Sequence, residues 1–462
     1  MSEPRLLSSL LLDAGFVFSL FLLGWLVASW VDPGGDKMFR TAVAFPLGAG
    51  LLTIAMFALS LLGVPLSRGL TLAVLGAPIA VLGLVRVLRS ARRPEQSSSE
   101  TRPANDGRLS WEWPALIAIA LLFGASLVVS IGRSYSTWDA AAIWGVKGYG
   151  IALQKTIWAA SDWGAYGLSY PLNLPLQISA FASLDGDVVP GSKLIFPLYY
   201  GSLAIGLLAY LRQEGSTMSG WAVVFVMALP IAFDHATQGY ANLPFATYIV
   251  LGTLLAIQAA SSGRKGTPAV SGIAFGLAVW TRPEGLVLVG AAFAALMLGA
   301  RARGVRWKPG WAWVLPSLVI GGGWLAFSLA NGETGPLQDM VSSATASLSA
   351  GQWNPSAFYW IGRYLARDML RPSTWGLFLP VVAVGVILHV RRSRGRPQVR
   401  QWMLLGTALA TGSLILGFYY LISFSGDLEW WLDTGLSRML LPSALLLAVW
   451  AVAPWTEPRE FA

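Results

Sequence analysis

The chain has 462 residues, of which 55% are hydrophobic and 12% charged, with a formal net charge of +9. An ordinary soluble domain carries about 25% charged residues, so this composition excludes water as the main solvent for most of the chain. The absence of cysteine excludes disulfides, thiolate nucleophiles and thiolate metal sites, and two histidines argue against a multi-histidine metal centre.

Apolar stretches long enough to cross a hydrocarbon core of about 30 Å recur from one end to the other. The first, from Leu6 to Val31, is long and lacks a clear basic leader, so it reads as a span rather than a cleavable signal. Hydropathy predicts about thirteen spans, at 10–31, 41–62, 69–88, 114–131, 192–211, 220–234, 242–260, 269–281, 285–300, 311–330, 375–390, 402–424 and 437–454. The expected fold class is therefore all-α, a polytopic transmembrane helical bundle. Basic residues cluster between spans, where they set orientation rather than bind nucleic acid. Placing the clusters Arg86 to Arg108, Arg264-Lys265, Arg301 to Lys308 and Arg391 to Arg400 in the cytoplasm is self-consistent in parity. Two long loops then face outward, 132–192 and 331–374, and carry seven of the 23 acidic side chains. Pro94 to Asp106, rich in Ser, Glu, Arg and Pro, reads as a flexible linker. The expected organisation is an N-terminal three-helix accessory unit (1–90), a cytoplasmic linker (91–110) and a functional body (111–456).

The first outer loop opens with Trp138-Asp139-Ala140, and Trp138, Trp144, Tyr149 and Trp158 fit an interfacial helix with aromatics at headgroup level. A carboxylate there suits a general base acting on a hydroxyl beside a lipid-borne substrate. Asp before three alanines is equally good N-cap chemistry, and both readings of Asp139 stay open. Ser169 to Leu176, punctuated by Pro171 and Pro175, reads as a rigid return toward the bundle. Asp185-Gly186-Asp187 matches a short metal–nucleotide pattern but is ordinary turn chemistry. Asp234-His235 has no metal-ligand spacing to anything nearby; its outward position makes it a site candidate beside a structural reading. Gly239-Tyr240-Ala241-Asn242-Leu243-Pro244 follows in the same short loop.

Arg264-Lys265 and Arg301 both read cytoplasmic, so roughly 30 residues must go out and come back. Each arm is then about 20–24 Å of helix, shorter than the core is thick, and the turn Thr281-Arg282-Pro283-Glu284-Gly285 is recessed. Arg282 and Glu284 at such depth face a cavity or each other. In the second outer loop, Arg363, Arg367 and Arg371 lie four residues apart on one helical face, a stripe suited to anionic headgroups or to solvent. Arg438 is expected at the outer mouth of the last span, where it suits a phosphate oxygen or pairs with Asp433.

In this order, the Trp138-Asp139 element with Trp144 and Lys147, the Tyr170-Pro171…Pro175 run, Gly239 to Pro244, Thr281 to Gly285 and Arg438-Met439-Leu440-Leu441-Pro442 resemble the GT-C superfamily of polyprenyl-phosphate-sugar-dependent membrane glycosyltransferases. The likeness is to its bacterial members related to protein O-mannosyltransferases and aminoarabinose transferases, over roughly residues 111–454. Asn242 and Arg282 depart from the Asp and Lys common there. The resemblance implies a multi-pass protein of the bacterial inner (plasma) membrane with its active site facing outward. It implies a polyprenyl-phosphate sugar as donor and a lipid, glycan or protein as acceptor, with membrane lipids around them and inversion at the sugar. Asp139 is then the catalytic base and Arg438, Arg282 and Lys147 bind the donor phosphate. Asp234, His235, Glu284, Tyr240, Arg363 and Arg367 are further candidates. With cations enough for the leaving phosphate, no cofactor or metal site is required, and a divalent metal stays open. The alternative is a multi-span transporter or lipid flippase using the recessed turn as a broken-helix site, against which the one-sided placement of elaborate loops argues.

Overall fold

A computed structural model describes residues 3–92, 109–185, 191–216, 218–262, 266–302, 305, 307–333, 335–392 and 399–453. Pro94 to Asp106, Arg264-Lys265 and Gly186-Asp187 of the Asp-Gly-Asp turn lie outside these residues. Among the described residues every regular element is helical. In chain order the helices are α1 (Glu3–Val31), α2 (Lys37–Leu61), α3 (Arg68–Arg92), α4 (Leu109–Gly132), α5 (Val146–Gln154), α6 (Ala159–Asp162), α7 (Asn173–Asp185), α8 (Ile195–Gln213), α9 (Ser219–Met227) and α10 (Pro230–Gln238). They continue as α11 (Asn242–Ser262), α12 (Thr267–Val279), α13 (Gly285–Arg301), α14 (Trp311–Ala330), α15 (Gly335–Ser349), α16 (Pro355–Met369), α17 (Pro372–Trp375), α18 (Phe378–Arg392), α19 (Val399–Ile422) and α20 (Leu428–Val452).

Nine of these helices are long and apolar enough to cross a bilayer, α9 and α10 reach that length only as a pair bent by 62°, and α12, α13 and α18 are shorter apolar helices. Every span read from hydropathy therefore has a helix, as it must where lipid offers no partner to a free backbone amide or carbonyl. Local chemistry sets their ends. Asp36 caps α2 by accepting from the Phe39 amide, Asp427 caps α20 through the Trp430 amide, and Pro230 opens α10 after the bend. Because Asp427 supplies that cap, α20 starts at Leu428 rather than at 437. Arg438 thus lies ten residues inside α20.

Helix α11 is the most enclosed of the long spans, and α3 and α4 the least. Helices α1 and α2 cross with almost no side chain between them: a Cβ added to Gly24 would sit 1.9 Å from the Ala44 carbonyl oxygen, and one added to Gly48 would sit 1.8 Å from that of Leu20. Helix α2 also packs on α7, α8 and α12. The doubly proline-punctuated run does return the chain inward, since all side chains from Asn173 to Ala182 are buried. At the end remote from the long loops, Arg400 ties α19 to Glu214 at 2.5 Å, and the Thr267 hydroxyl donates to Asp32 at 2.6 Å.

Both long loops are largely helical, carrying α5 to α7 and α15 to α17. Trp138, Tyr149 and Trp158 are exposed as an interfacial element requires. Trp144 is not: it turns inward against Tyr170, with ring centroids 5.8 Å apart.

Gly48→Leu is expected to lower the melting temperature of the purified protein by several degrees and broaden its size-exclusion peak. Gly76→Leu, on α3 where a Cβ meets nothing within 4 Å, is the control. Equal behaviour of the two would refute the tight α1–α2 crossing.

Candidate active site

Asp139 begins a π-helical turn, Asp139–Gly145, in which Trp138 occupies the cap position and no side chain caps the helix. The N-cap reading of Asp139 therefore fails. Its carboxylate accepts instead from the guanidinium of Arg438 on α20, and both side chains are mostly buried. Asp433, the competing partner for Arg438, is taken by Arg367 at 2.5 Å. A π-turn widens the helix by a residue per turn, and here it turns a carboxylate toward the bundle that α-helical chemistry would have spent on a cap.

The recessed turn meets the same place from below. Arg282 pairs with Glu284, donates to Asn242 Oδ1 at 3.1 Å, and reaches the Met439 sulfur at 3.5 Å, next to Arg438. Asn242 Nδ2 in turn donates to the Arg438 carbonyl at 3.1 Å. The neutral amide at this position thus accepts from one arginine and donates to the backbone of the other, which an ionised Asp cannot do. The Arg438 guanidinium lies 5.5 Å from the Tyr240 ring centroid. His235 is buried behind Tyr240, rings 5.0 Å apart, and its Nδ1 has no hydrogen-bond partner among the described residues. Asp234 diverges from it to a half-exposed pair with Arg133 at 3.6 Å. The Asp-His dipeptide is therefore not a unit.

Three aromatics stand beside the Asp139–Arg438 pair. Tyr166 and Tyr170 stack at 5.0 Å, and Trp138 meets Tyr166 edge-on at 6.3 Å. Tyr166 holds a left-handed backbone, φ 65°, between two positive-φ glycines, Gly164 and Gly167. Burial pushes its phenol up from the ordinary value, with the Asp139 charge adding and Arg438 opposing. The Lys147 Nζ lies 5.8 Å from the Tyr170 ring and has no hydrogen-bond partner among the described residues. Burial brings its ammonium down to about 7, against the pull of Glu333. The Glu333 carboxylate sits against Gly167. Nothing in the Asn331 to Glu333 stretch of sequence marks that side chain as part of this neighbourhood.

The arginine stripe is engaged by protein. Arg363 lies over Trp360 at 5.1 Å, Arg367 over Tyr364 at 4.1 Å and against Asp433, and Arg371 lies 3.6 Å from Asp368. The Arg367–Asp433 pair and the Tyr364 hydroxyl, which donates to Glu429 at 3.3 Å, join α16 to the first turns of α20. The structure thus gathers Asp139, Arg438, Arg282, Glu284, Asn242 and Tyr240 in one place. Lys147 stands near Tyr170, and Arg363, Arg367 and Asp234 stand outside. Among the described residues no three His, Asp or Glu side chains are grouped to hold a metal ion.

No protein-family model matches the chain, and no curated protein matches it. Among solved structures, ArnT from Cupriavidus metallidurans bound to undecaprenyl phosphate is similar at a TM-score of 0.35 and 12% identity, over 75% of this chain and 78% of that one.

Because the folded state holds Lys147 near 7 while the unfolded chain holds it near 10.5, the unfolded state binds the extra proton between those values, and stability gains from this site as pH rises through that window. Lys147→Met is expected to raise the melting temperature at pH 6 to 7 by more than at pH 9 to 10. A difference independent of pH would overturn the neutral-lysine assignment.

Proposed function

We propose that the chain is a membrane glycosyltransferase of GT-C type that moves a sugar from a polyprenyl-phosphate donor to an acceptor hydroxyl at the outward face of the inner membrane, with inversion. The observation that carries this is the buried Asp139–Arg438 pair, flanked by the Arg282–Glu284 turn and an aromatic wall. A base and two cations meet where a lipid phosphate would arrive from the bilayer.

With no substrate bound, Asp139 and Arg438 satisfy one another. Donor phosphate oxygens compete for the Arg438 fork, so docking of the donor releases the carboxylate to face the acceptor. Asp139 then takes the acceptor proton as the acceptor oxygen forms a bond to the anomeric carbon. The bond from that carbon to the phosphate oxygen breaks on the opposite side, and the leaving monoester keeps the electron pair. Arg438 and Arg282 stabilise the negative charge that builds on the phosphate, and Glu284 and Asn242 hold Arg282 in place. Trp138, Tyr166 and Tyr170 offer faces on which a sugar ring stacks. Lys147, near Tyr170, adds a weaker and pH-dependent positive charge. Residues 111–456 form the catalytic body in this reading.

The test is transfer of label from a panel of polyprenyl-phosphate sugars by the purified protein in liposomes. Asp139→Asn is expected to cut transfer by about 10²–10⁴-fold while donor binding persists. Arg438→Met is expected to weaken donor binding instead. Normal turnover in Asp139→Asn, or lipid movement between leaflets with no covalent product, would remove the proposal.

A further inference from the structure

Two side chains far apart in the sequence, Thr53 and Asn173, close a ring with the two residues that precede Arg282. The Trp280 indole donates to the Thr53 hydroxyl at 3.0 Å. That hydroxyl has one proton and two acceptors in reach, Asn173 Oδ1 at 2.8 Å and the Gly50 carbonyl at 2.7 Å. Asn173 Nδ2 donates to the Thr281 hydroxyl at 2.8 Å, and Thr281 passes its own proton to the Leu277 carbonyl at 2.6 Å. Thr53, Asn173 and Thr281 are fully buried, and Trp280 nearly so. The two residues immediately before Arg282 are therefore each held by a side chain from another element: Trp280 by α2, and Thr281 by the first turn of α7.

Such a ring is costly to leave half made in a medium without water, so its members hold each other to one geometry. It also sets depth. Thr53 lies eight residues before the end of α2 at Leu61, about 12 Å of helix. The turn carrying Arg282 is anchored at that depth, and not at the tip of α2. Asn173 follows Tyr170 by three residues, so the same amide joins the aromatic wall to the recessed turn.

We propose that Thr53 and Asn173 are positioning residues for Arg282, and that the first three spans, through α2, form part of the site's scaffold rather than an accessory unit. Thr53 contributes a hydroxyl where α2 meets Trp280, beside the edge-on packing of Phe57 on the same indole at 5.0 Å. Asn173 contributes an amide that accepts from α2 and donates to Thr281 in the turn after α12. Neither touches substrate; both act through the place and rigidity they give the Arg282 guanidinium. The effect on turnover rests on the transfer reading above, whereas the mechanical coupling does not.

The experiment is hydrogen–deuterium exchange by mass spectrometry on the full-length protein in detergent micelles, followed on peptides covering 276–290. Thr53→Val, an isosteric loss of the hydroxyl, and Asn173→Ala are expected to speed exchange of the 281–285 amides by about tenfold, with the rest of α2, α7 and α13 unchanged. Thr53→Ser, which restores the hydroxyl, is expected to return exchange to the wild-type rate. Unchanged exchange at the turn in Thr53→Val overturns the proposal, and so does a uniform rise along all the packed helices, which marks a merely structural role. In the transfer assay, Thr53→Val is expected to lower kcat by about tenfold with KM for the acceptor unchanged, and Thr53→Ser to recover it. Normal kcat in Thr53→Val, in a preparation whose wild type transfers sugar, also overturns it. A wild type that transfers nothing sinks the glycosyltransferase reading alone, and the exchange measurement still decides the coupling.

Discussion

A charge taken out of water must meet its opposite, and at the long-loop face of this protein that rule binds Asp139 to Arg438 across 299 positions of sequence. Much of the surrounding structure follows from keeping that encounter possible. The π-turn aims the carboxylate inward, the cap at Asp427 extends α20 so that Arg438 lies at the right depth, and Asn242 links Arg438 to a second arginine. Removing either partner would strand a buried ion, so the pair is held together by the cost of separating it as much as by its attraction.

The fold surrounds this encounter with two kinds of rigidity. One is steric: Gly24 and Gly48 let α1 and α2 touch backbone to backbone, and α2 in turn lies on α7, α8 and α12. The other is polar, the closed ring of Thr53, Asn173, Thr281 and Trp280. At the long-loop face α16 is held by buried packing of Ala357 and Ile361 and by ion pairs near solvent, such as Arg367–Asp433, where exposure weakens them.

The long helices were legible in sequence because bilayer thickness imposes a length that hydropathy reads directly, and the helix break between Val279 and Gly285 was marked by Pro283 and Gly285. Where local chemistry and tertiary structure disagreed, the residues themselves gave no warning. Asp139 before three alanines has every mark of an N-cap, and only a partner from the other end of the chain overrides it. The start of α20 was read nine residues late, since the acidic residues Asp427, Glu429 and Asp433 conceal the beginning of the helix from a hydropathy window. Thr53 and Asn173 left no signal at all. A single polar group in an apolar helix reads the same whether it bonds its own backbone or closes a network.

The charges at the site also have a sum. In the two ion pairs, Asp139 and Glu284 balance Arg438 and Arg282. In the proposed reaction a phosphodiester brings one negative charge in, and the proton that neutralises Asp139 is matched by the second charge gained by the departing monoester. The total inside therefore stays constant from reactants to products. Such a site redistributes charge over a few ångströms and exchanges none with its surroundings during the chemical step, which is what a low-dielectric setting favours.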